Sequence, residues 1–215
     1  MSHCILIPIK TINERLPGKN TLLLKGKPLY SYLFNTVKPL NIPVYVDSSD
    51  PAILQIAEQW DFNTLVRPEE FNGPDITGDQ LLLRNIHSLN YDIISLLHVT
   101  NPFLTGKTIS TGIDILENNL DIDSVFGVIA RYNRFWFNNK PVNHDVNKLI
   151  RTQDLTPVYE ESDIYFVRKS AFLKFAKRIC GKMHQLEVSP VEAIDIDTII
   201  DFITAESFIT AGLIS

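Results

Sequence analysis

Short apolar runs alternate with longer amphipathic segments through the first two thirds of the chain. Apolar runs of about four to eight residues, bounded by turn residues, are typical of buried strands. The runs that predict strands are residues 4–9, 43–47, 64–67, 93–99 and 124–130. The segments that predict helices are residues 28–37, 50–60, 75–89 and 108–118. This alternation predicts an α/β fold of three layers, in which helices cover both faces of a mostly parallel sheet.

The pattern changes after Ala130. Residues 131–137 are rich in aromatic side chains and predict a strand, and another strand-like run ends at residue 167. We interpret residues 131–164 as a hairpin or small excursion from the main sheet. The remaining predictions are a basic helix over residues 170–180, a return to the body over 188–196 and a last helix over 198–209.

Composition narrows the possible classes of function. The chain has 215 residues, 45% of them hydrophobic, which suits a single domain with a substantial core. A formal charge of -5 gives no general reason to bind nucleic acid or anionic membranes. Without an amino-terminal signal pattern or an apolar run of about 18 residues, the chain is expected to be cytoplasmic and not to span a membrane. Two cysteines, Cys4 and Cys180, predict neither a disulfide framework nor a zinc site.

The loop that follows the first strand concentrates positive charge in an otherwise acidic chain. Lys10, Arg15 and Lys19 fall within ten residues, and Gly18 permits close approach of backbone and ligand. Ligands of open α/β sheets collect at the carboxyl ends of the strands, where this loop begins. The loop therefore predicts a site for a polyphosphate, the alternative being a solvated charged loop.

Two aspartates near the end of the chain form the second cluster. Asp195 and Asp197 alternate on an apparently extended segment, so their carboxylates are expected to face the same side. Carboxylates on one face repel each other unless a cation lies between them, and Mg²⁺ commonly bridges carboxylates to phosphates. The alternative is that Asp197 caps the last helix while Asp195 faces solvent.

Other polar residues lie at the expected sheet edge with weaker signals. Arg67 ends one predicted strand and Thr100 directly follows another, and Asp79 follows a turn from which it could reach a base or a ribose. Arg67 is equally compatible with an ion pair at the surface. His98 ends an apolar strand and is expected to be a hydrogen-bonded core histidine. The sequence contains no nucleophile elbow, Walker loop or dinucleotide-binding glycine pattern.

At these residues the chain resembles the acylneuraminate cytidylyltransferase family, which includes the CMP-sialic acid and CMP-Kdo synthetases. Four blocks carry the resemblance in the same order: residues 7–20, ending in Arg15-Leu16-Pro17-Gly18-Lys19-Asn20, residues 96–104, residues 153–165, and Ile194-Asp195-Ile196-Asp197-Thr198. The resemblance implies a Rossmann-like nucleotidyltransferase fold and the transfer of CMP from CTP to an ulosonic or nonulosonic acid, with release of pyrophosphate.

The resemblance also implies roles for individual residues. Lys19 and Asp197 would be catalytic, and Asp195 and Asp197 would hold Mg²⁺ against the triphosphate. The residues implied in nucleotide binding are Lys10, Arg15, Lys19, Asn20, Arg67, Asp79 and Thr100. Gln153 and Tyr159 would contact the acceptor, in a region that would also form a homodimer.

Five departures from the family pattern keep other functions open. Lys10 stands where the family usually has arginine, and residues 11–14 replace a Gly-Gly-Ser-Lys stretch. Further along the chain, His98 replaces a glutamine, Leu104 replaces an arginine, and Ser162-Asp163 replaces Asn-Gly. The alternatives are a cytidylyltransferase for another acceptor (a sugar phosphate, a polyol phosphate or a phosphonate) and a nucleotide-binding relative without catalysis.

Overall fold

A computed structural model of the chain describes residues 1–10, 13 and 15–214. The strands are β1 (His3–Pro8), β2 (Leu23–Leu24), β3 (Lys27–Pro28), β4 (Val44–Ser48), β5 (Asn63–Val66), β6 (Ile93–Leu97), β7 (Ser124–Arg131), β8 (Trp136–Phe137), β9 (Lys140–Pro141), β10 (Val158–Arg168) and β11 (Met183–Glu187). The helices are α1 (Leu29–Val37), α2 (Pro51–Gln59), α3 (Gly78–Asn85), α4 (Gly106–Asn118), α5 (Lys169–Phe175) and α6 (Ile199–Thr210).

Seven strands form the central sheet in the order β11-β7-β10-β6-β1-β4-β5. Neighbouring strands are parallel except at β10, which runs antiparallel to both β6 and β7. The antiparallel direction brings the start of β10 to the edge where β6 and β7 end. This edge therefore receives the carboxyl ends of the parallel strands together with the beginning of β10.

Apolar side chains on the two faces of the sheet form two separate cores. Ile5 and Ile7 of β1 pack with residues of α1, α2 and α4 in one core. Cys4 and Leu6 point to the opposite face and pack with residues of α3 and α5. This alternation follows from the two-residue period of a strand. The predicted three-layer α/β fold is confirmed.

Capping side chains set the starts of the helices, and two of these starts differ from those that the apolar pattern predicted. The helix predicted over residues 75–89 begins at Gly78, because the Thr77 hydroxyl accepts a hydrogen bond from the Gln80 amide and the Gln80 side chain accepts one from the Thr77 amide. The helix predicted from residue 108 begins at Gly106, where Thr105 caps it. Asp50 caps α2 as expected, accepting a 2.8 Å hydrogen bond from the Ala52 amide.

The region after β7 differs from the prediction. The strand predicted over residues 131–137 is wrong, because the chain leaves the sheet after Arg131 and only the short pair β8–β9 forms there. Residues 158–164, predicted to lie in the excursion, belong to β10, whose first residue pairs with Arg131. The excursion is therefore confined to residues 132–157, here called the arm. The edge strand β11 was not predicted, because its side chains are mostly exposed.

Within the described part of the chain, none of the helices is both long enough and apolar enough to cross a membrane.

Candidate active site

The loop after β1 is fixed by backbone carbonyls and one buried amide. Lys10 Nζ donates to the carbonyl of Ile76 at 2.8 Å, and Asn20 Nδ2 donates to the carbonyl of Lys10 at 2.6 Å. Gly18 has φ 67°, a left-handed conformation that suits glycine. The loop therefore folds back onto the end of β1. Thr11, Ile12 and Glu14, part of the stretch in which the sequence departs from the family, lie outside the described residues.

Two cations of this loop hold one carboxylate of the late aspartate pair. Lys19 Nζ lies 2.6 Å from Asp197 Oδ1, and Arg15 Nη1 lies 2.5 Å from Asp197 Oδ2. The positive loop and the acidic pair thus meet in one place, although Lys19 and Asp197 are 178 residues apart in the sequence. An anionic ligand entering here competes with Asp197 for these cations.

Asp197 does not cap the last helix. Thr198 holds that position, accepting a hydrogen bond from the Asp201 amide and donating one to the Asp201 carboxylate. The alternative in which Asp197 is the cap is therefore wrong. The preceding segment is fixed to the end of β6, because the Ile196 amide donates to the Thr100 carbonyl at 2.9 Å.

Asp195 is a largely buried carboxylate in an unfavourable electrostatic setting. Burial raises its pKa to about 7, and the carboxylates of Asp163 and Asp197 act in the same direction, against a hydrogen bond from Thr100. Its Oδ1 atom is buried and has no hydrogen-bond partner among the described residues. A buried oxygen of this kind is suited to a cation, which supplies the missing partner.

These groups surround two adjoining cavities at the carboxyl edge of the sheet. The first has a volume of about 220 Å³ and is lined by residues that include Lys10, His98, Thr100, Asp163, Asp195 and Asp197. The second, of about 300 Å³, is lined by residues that include Arg15, Leu16, Asn72 and Pro74. Lys10, Arg15, Lys19 and Asp197 line both, so cations and carboxylates share the walls of the paired cavities.

The ammonium group of Lys10 already has a hydrogen-bond acceptor within the protein. Its ammonium group already contacts the carbonyl of Ile76, and burial lowers its pKa, with further lowering by Arg67 and Lys19. Lys10 therefore presents its charge to the cavity from a fixed position.

Arg67 occupies a buried ion pair. Its guanidinium donates to Asp47 Oδ2 through Nε at 3.1 Å and through Nη2 at 3.0 Å, and both side chains are fully buried. Arg84 reaches the other oxygen of Asp47 at 3.2 Å. Arg67 thus ties β4 to the end of β5, and its contact with a nucleotide stays a prediction.

Asp79 also has protein partners. Its Oδ1 accepts a 3.0 Å hydrogen bond from the Arg178 amide, and its Oδ2 lies 3.4 Å from Lys177 Nζ. It lies in the first turn of α3, next to Gly78, which lines the first cavity. The position is adjacent to the site, and contact with a base or ribose stays a prediction.

The two residues implied in acceptor binding lie elsewhere. Gln153 is exposed on the arm, and Tyr159 is exposed at the start of β10, paired with Ala130. Neither lines the two cavities. Their contact with an acceptor stays a prediction.

Asp163 is the site residue that the sequence did not reveal. It lies in β10, where the pairing register with β7 shifts between Glu161 and Tyr165. The irregular alternation of residues 158–167 was the available signal, since a bulge redirects side chains. His98, predicted as a core residue, is half-buried and lines the cavity, and burial lowers its pKa so that it is neutral at pH 7.

A larger and more open cavity of about 1050 Å³ lies between α1, the start of α4 and the end of the chain. Its carboxylate, Glu192, accepts hydrogen bonds from Thr105, Thr108 and Ser189. These bonds hold Glu192 at the amino-terminal end of α4, so the residue serves the fold there. The polar cavities therefore remain the better candidate for chemistry.

No group of three or more His, Cys, Asp or Glu side chains forms a ready metal cage among residues 1–10, 13 and 15–214. The donor set nevertheless fits Mg²⁺, which is usually bound by one or two carboxylates together with substrate phosphates. Asp195 offers the unpartnered Oδ1, and Asp197 offers two oxygens now held by Lys19 and Arg15.

Comparisons with known proteins agree with this geometry. A family profile described as "Cytidylyltransferase" matches residues 4–208. The CMP-N,N'-diacetyllegionaminic acid synthase of Legionella pneumophila is 26% identical over 219 residues, covering 94% of this chain and 93% of the relative. The N-acylneuraminate cytidylyltransferase A of Danio rerio is 24% identical over 205 residues, covering 90% of this chain and 47% of the relative. The chain thus spans about half the length of the Danio relative.

Solved structures share the fold at low identity. A CMP:2-keto-3-deoxy-manno-octonic acid synthetase complexed with CTP superposes with a TM-score of 0.74 at 16% identity, over 99% of this chain and 100% of that one. The 4-diphosphocytidyl-2C-methyl-D-erythritol synthase of Anaerococcus prevotii gives a TM-score of 0.68 at 15% identity, over 97% and 96%. The Rossmann-like nucleotidyltransferase architecture is therefore shared by enzymes named for different acceptors.

Proposed function

The chain belongs to the cytidylyltransferase family, and we propose that it transfers CMP from CTP to an ulosonic or nonulosonic acid, with release of pyrophosphate. The observation that carries the proposal is the contact of Lys19 and Arg15 with Asp197, close to the buried Oδ1 atom of Asp195. The names of the Legionella and Danio relatives support an acidic sugar as the acceptor.

The loop cations bind the triphosphate by exchange of partners. Phosphate oxygens replace Asp197 on Lys19 and Arg15, while Lys10 adds a fixed positive charge in the same cavity. The exchange frees the Asp197 carboxylate beside Asp195, and these two residues would then hold Mg²⁺. When bound, Mg²⁺ supplies positive charge that stabilises the phosphoryl oxygens and the leaving pyrophosphate.

The transfer itself is an in-line displacement. The acceptor hydroxyl oxygen forms a bond to the α-phosphorus of CTP, and the bond from that phosphorus to the pyrophosphate oxygen breaks. Lys19 and Arg15 neutralise charge on the oxygens, which is where most catalysis of phosphoryl transfer arises. The residues of this chain thus act by positioning and charge.

Leu104 is the observation that favours a different class of acceptor. It is buried in the core, where the resemblance implies an arginine, so it offers no cation for an acceptor carboxylate. A sugar phosphate, polyol phosphate or phosphonate is therefore the second candidate class.

A pyrophosphate-release assay tests the proposal. Purified protein with CTP and Mg²⁺ is expected to release pyrophosphate when sialic, legionaminic or Kdo-type acids are added, and to release little without an acceptor. ATP, GTP and UTP serve as matched nucleotide controls. Turnover only with phosphorylated or phosphonate acceptors would favour the second class. Binding of CTP without turnover on any acceptor would indicate a relative that has lost catalysis.

We also propose that the protein is a homodimer formed through the arm. The arm exposes large apolar side chains, with Trp136 57%, Phe137 70% and Leu149 64% exposed. Large apolar side chains exposed together on one short segment are typical of a protein interface.

The double variant Phe137→Asp/Leu149→Asp is expected to convert dimer to monomer, because it places charges in the apolar contact. Light scattering coupled to gel filtration at about 10 μM measures the mass. Leu120→Asp, at a residue 74% exposed outside the arm, is the matched control and is expected to stay dimeric. A monomeric wild-type protein would contradict the proposal.

A further inference from the structure

Asp163 is a carboxylate that the roles described above leave unused. Its neighbour Ile164 pairs with Leu97 at the end of β6, which places Asp163 at the carboxyl edge of the sheet. Its side chain lines the same cavity as Asp195 and His98. Bulges such as the one in β10 are frequent beside active sites, where they redirect a side chain.

A side-chain network holds Asp163 in position. The Tyr165 hydroxyl lies 2.9 Å from Asp163 Oδ1 and 2.8 Å from Glu161 Oε1. A phenol has a single proton to donate, so the two carboxylates share one donor. The Tyr165 hydroxyl therefore leaves the Asp163 carboxylate able to accept a further proton from the cavity.

Arg178 fixes the tyrosine in turn. Its Nη2 donates to the Tyr165 oxygen at 3.3 Å, and its guanidinium carbon lies 4.3 Å from the centre of the Tyr165 ring. The Arg178 amide donates to Asp79 at the start of α3. This series of contacts runs from Asp163 through Tyr165 and Arg178 to Asp79, and so links the cavity wall to α3 and to the segment that follows α5. Contacts of this kind hold a functional side chain in a fixed position.

Resting on the proposed function, we propose that Asp163 accepts the proton of the acceptor hydroxyl. As the O–H bond breaks, the proton passes to the Asp163 carboxylate and the hydroxyl oxygen forms its bond to the α-phosphorus. The bond to pyrophosphate breaks, and its electron pair leaves with the pyrophosphate. A positioned aspartate has the same task in protein kinases. Tyr165 is then a positioning residue.

The other carboxylates of the cavity have competing partners. Asp197 is held by Lys19 and Arg15, and Asp195 forms the proposed metal pair with it. His98, whose pKa is lowered by burial, is the other side chain of the cavity that could accept a proton, and it serves as the comparison. The charged or titratable groups that contact Asp163 or share its cavity, together with those that contact these partners, are Glu161, Tyr165, His98, Arg178, Lys10, Arg15, Lys19, Asp195 and Asp197.

Asp163→Asn tests the proposal, since the amide keeps the shape but accepts a proton poorly. With the best acceptor, kcat is expected to fall about 100- to 1000-fold, while the KM for CTP stays within about threefold. The kcat of the variant should rise about tenfold per pH unit above pH 7, as hydroxide replaces the base, whereas wild-type kcat rises less steeply. A merely structural residue would not produce this change of slope.

Three companion variants separate the alternatives. Asp163→Glu should recover part of the rate, Tyr165→Phe should lower kcat about 5- to 20-fold with a wild-type pH slope, and His98→Gln should keep that slope. A wild-type kcat in Asp163→Asn, or the steep pH slope in His98→Gln instead, would overturn the proposal.

Two further measurements complete the test. Calorimetry with Mg²⁺ and CTP should give Asp163→Asn a wild-type affinity, and a loss above about tenfold would make Asp163 a metal ligand and overturn the proposal. Wild-type turnover establishes the transfer independently of any variant. Its absence with every acceptor would overturn the proposed function and this inference together, whereas wild-type turnover with an unaffected Asp163→Asn would overturn this inference alone.

Discussion

Replacing Asp197 with asparagine is expected to lower kcat about 1000-fold while the KM for CTP changes by less than about threefold. The carboxylate has two roles: it pairs with Lys19 and Arg15 in the free protein, and it would hold Mg²⁺ once phosphate takes those cations. The amide leaves the cations free to bind phosphate, so ground-state affinity survives. The lost rate corresponds to about 4 kcal/mol of transition-state stabilisation.

Steady-state kinetics of pyrophosphate release, with CTP and acceptor varied separately, measures both constants. Asp114→Asn is the matched control, because Asp114 is exposed on α4 away from the cavities. A large rise in the KM for CTP at unchanged kcat would show instead that Asp197 acts only by orienting the loop cations.

Asparagine at position 195 should stabilise the metal-free protein and abolish its activity. Burial raises the pKa of Asp195 from 3.8 to about 7. The folded protein therefore holds a proton that the unfolded chain releases, and folding stability falls as pH rises between these two values. Asparagine cannot ionise, so the variant escapes this penalty and loses one ligand of the proposed metal site.

Thermal unfolding in EDTA at two pH values tests the linkage. At pH 8 the Tm of Asp195→Asn is expected to exceed that of wild type by about 3–8 °C, corresponding to about 1–3 kcal/mol for a chain of this size. At pH 5, which lies between the two pKa values, the folded wild-type carboxyl is protonated but the unfolded one is already largely ionised, so the difference should shrink to roughly half or less without vanishing. An equal gain at both pH values would show that packing, not charge, is responsible, and Asp114→Asn should show no gain at either.

The central parallel strands could be predicted from the sequence because their residues are buried on both faces of the sheet and form continuous apolar runs. The run predicted over residues 93–99 corresponds to β6, whose five residues are all buried. The edge strand β11 escaped prediction because Met183 and its neighbours are mostly exposed. The insertion of β10 between β6 and β7 is a tertiary arrangement, and local periodicity contains no information about it.

Part of the candidate site could also be predicted from the sequence. Lys19 and the Asp195–Asp197 pair were identified because a strand-to-loop position and a spacing of two residues each have a direct geometric meaning. Asp163 was not identified, because its role depends on Tyr165 and on a bulge whose position is set by pairing with β7. The structural partners of Arg67 were likewise invisible, since Asp47 lies 20 residues away on another strand.

The arm leaves and rejoins the sheet at adjacent points, since Arg131 and Val158 pair with each other. Changing the length of a loop whose ends are already joined alters the free energy of folding only slowly, by about 0.6 kcal/mol per doubling. The arm can therefore be replaced by a loop of another length or sequence, while the pairing of residues Ile164–Arg168 with β6 keeps its register. Under the predicted role of Gln153 in acceptor binding, an exchanged arm would change acceptor preference while the cavities that contain Lys19 and Asp197 stay unaltered.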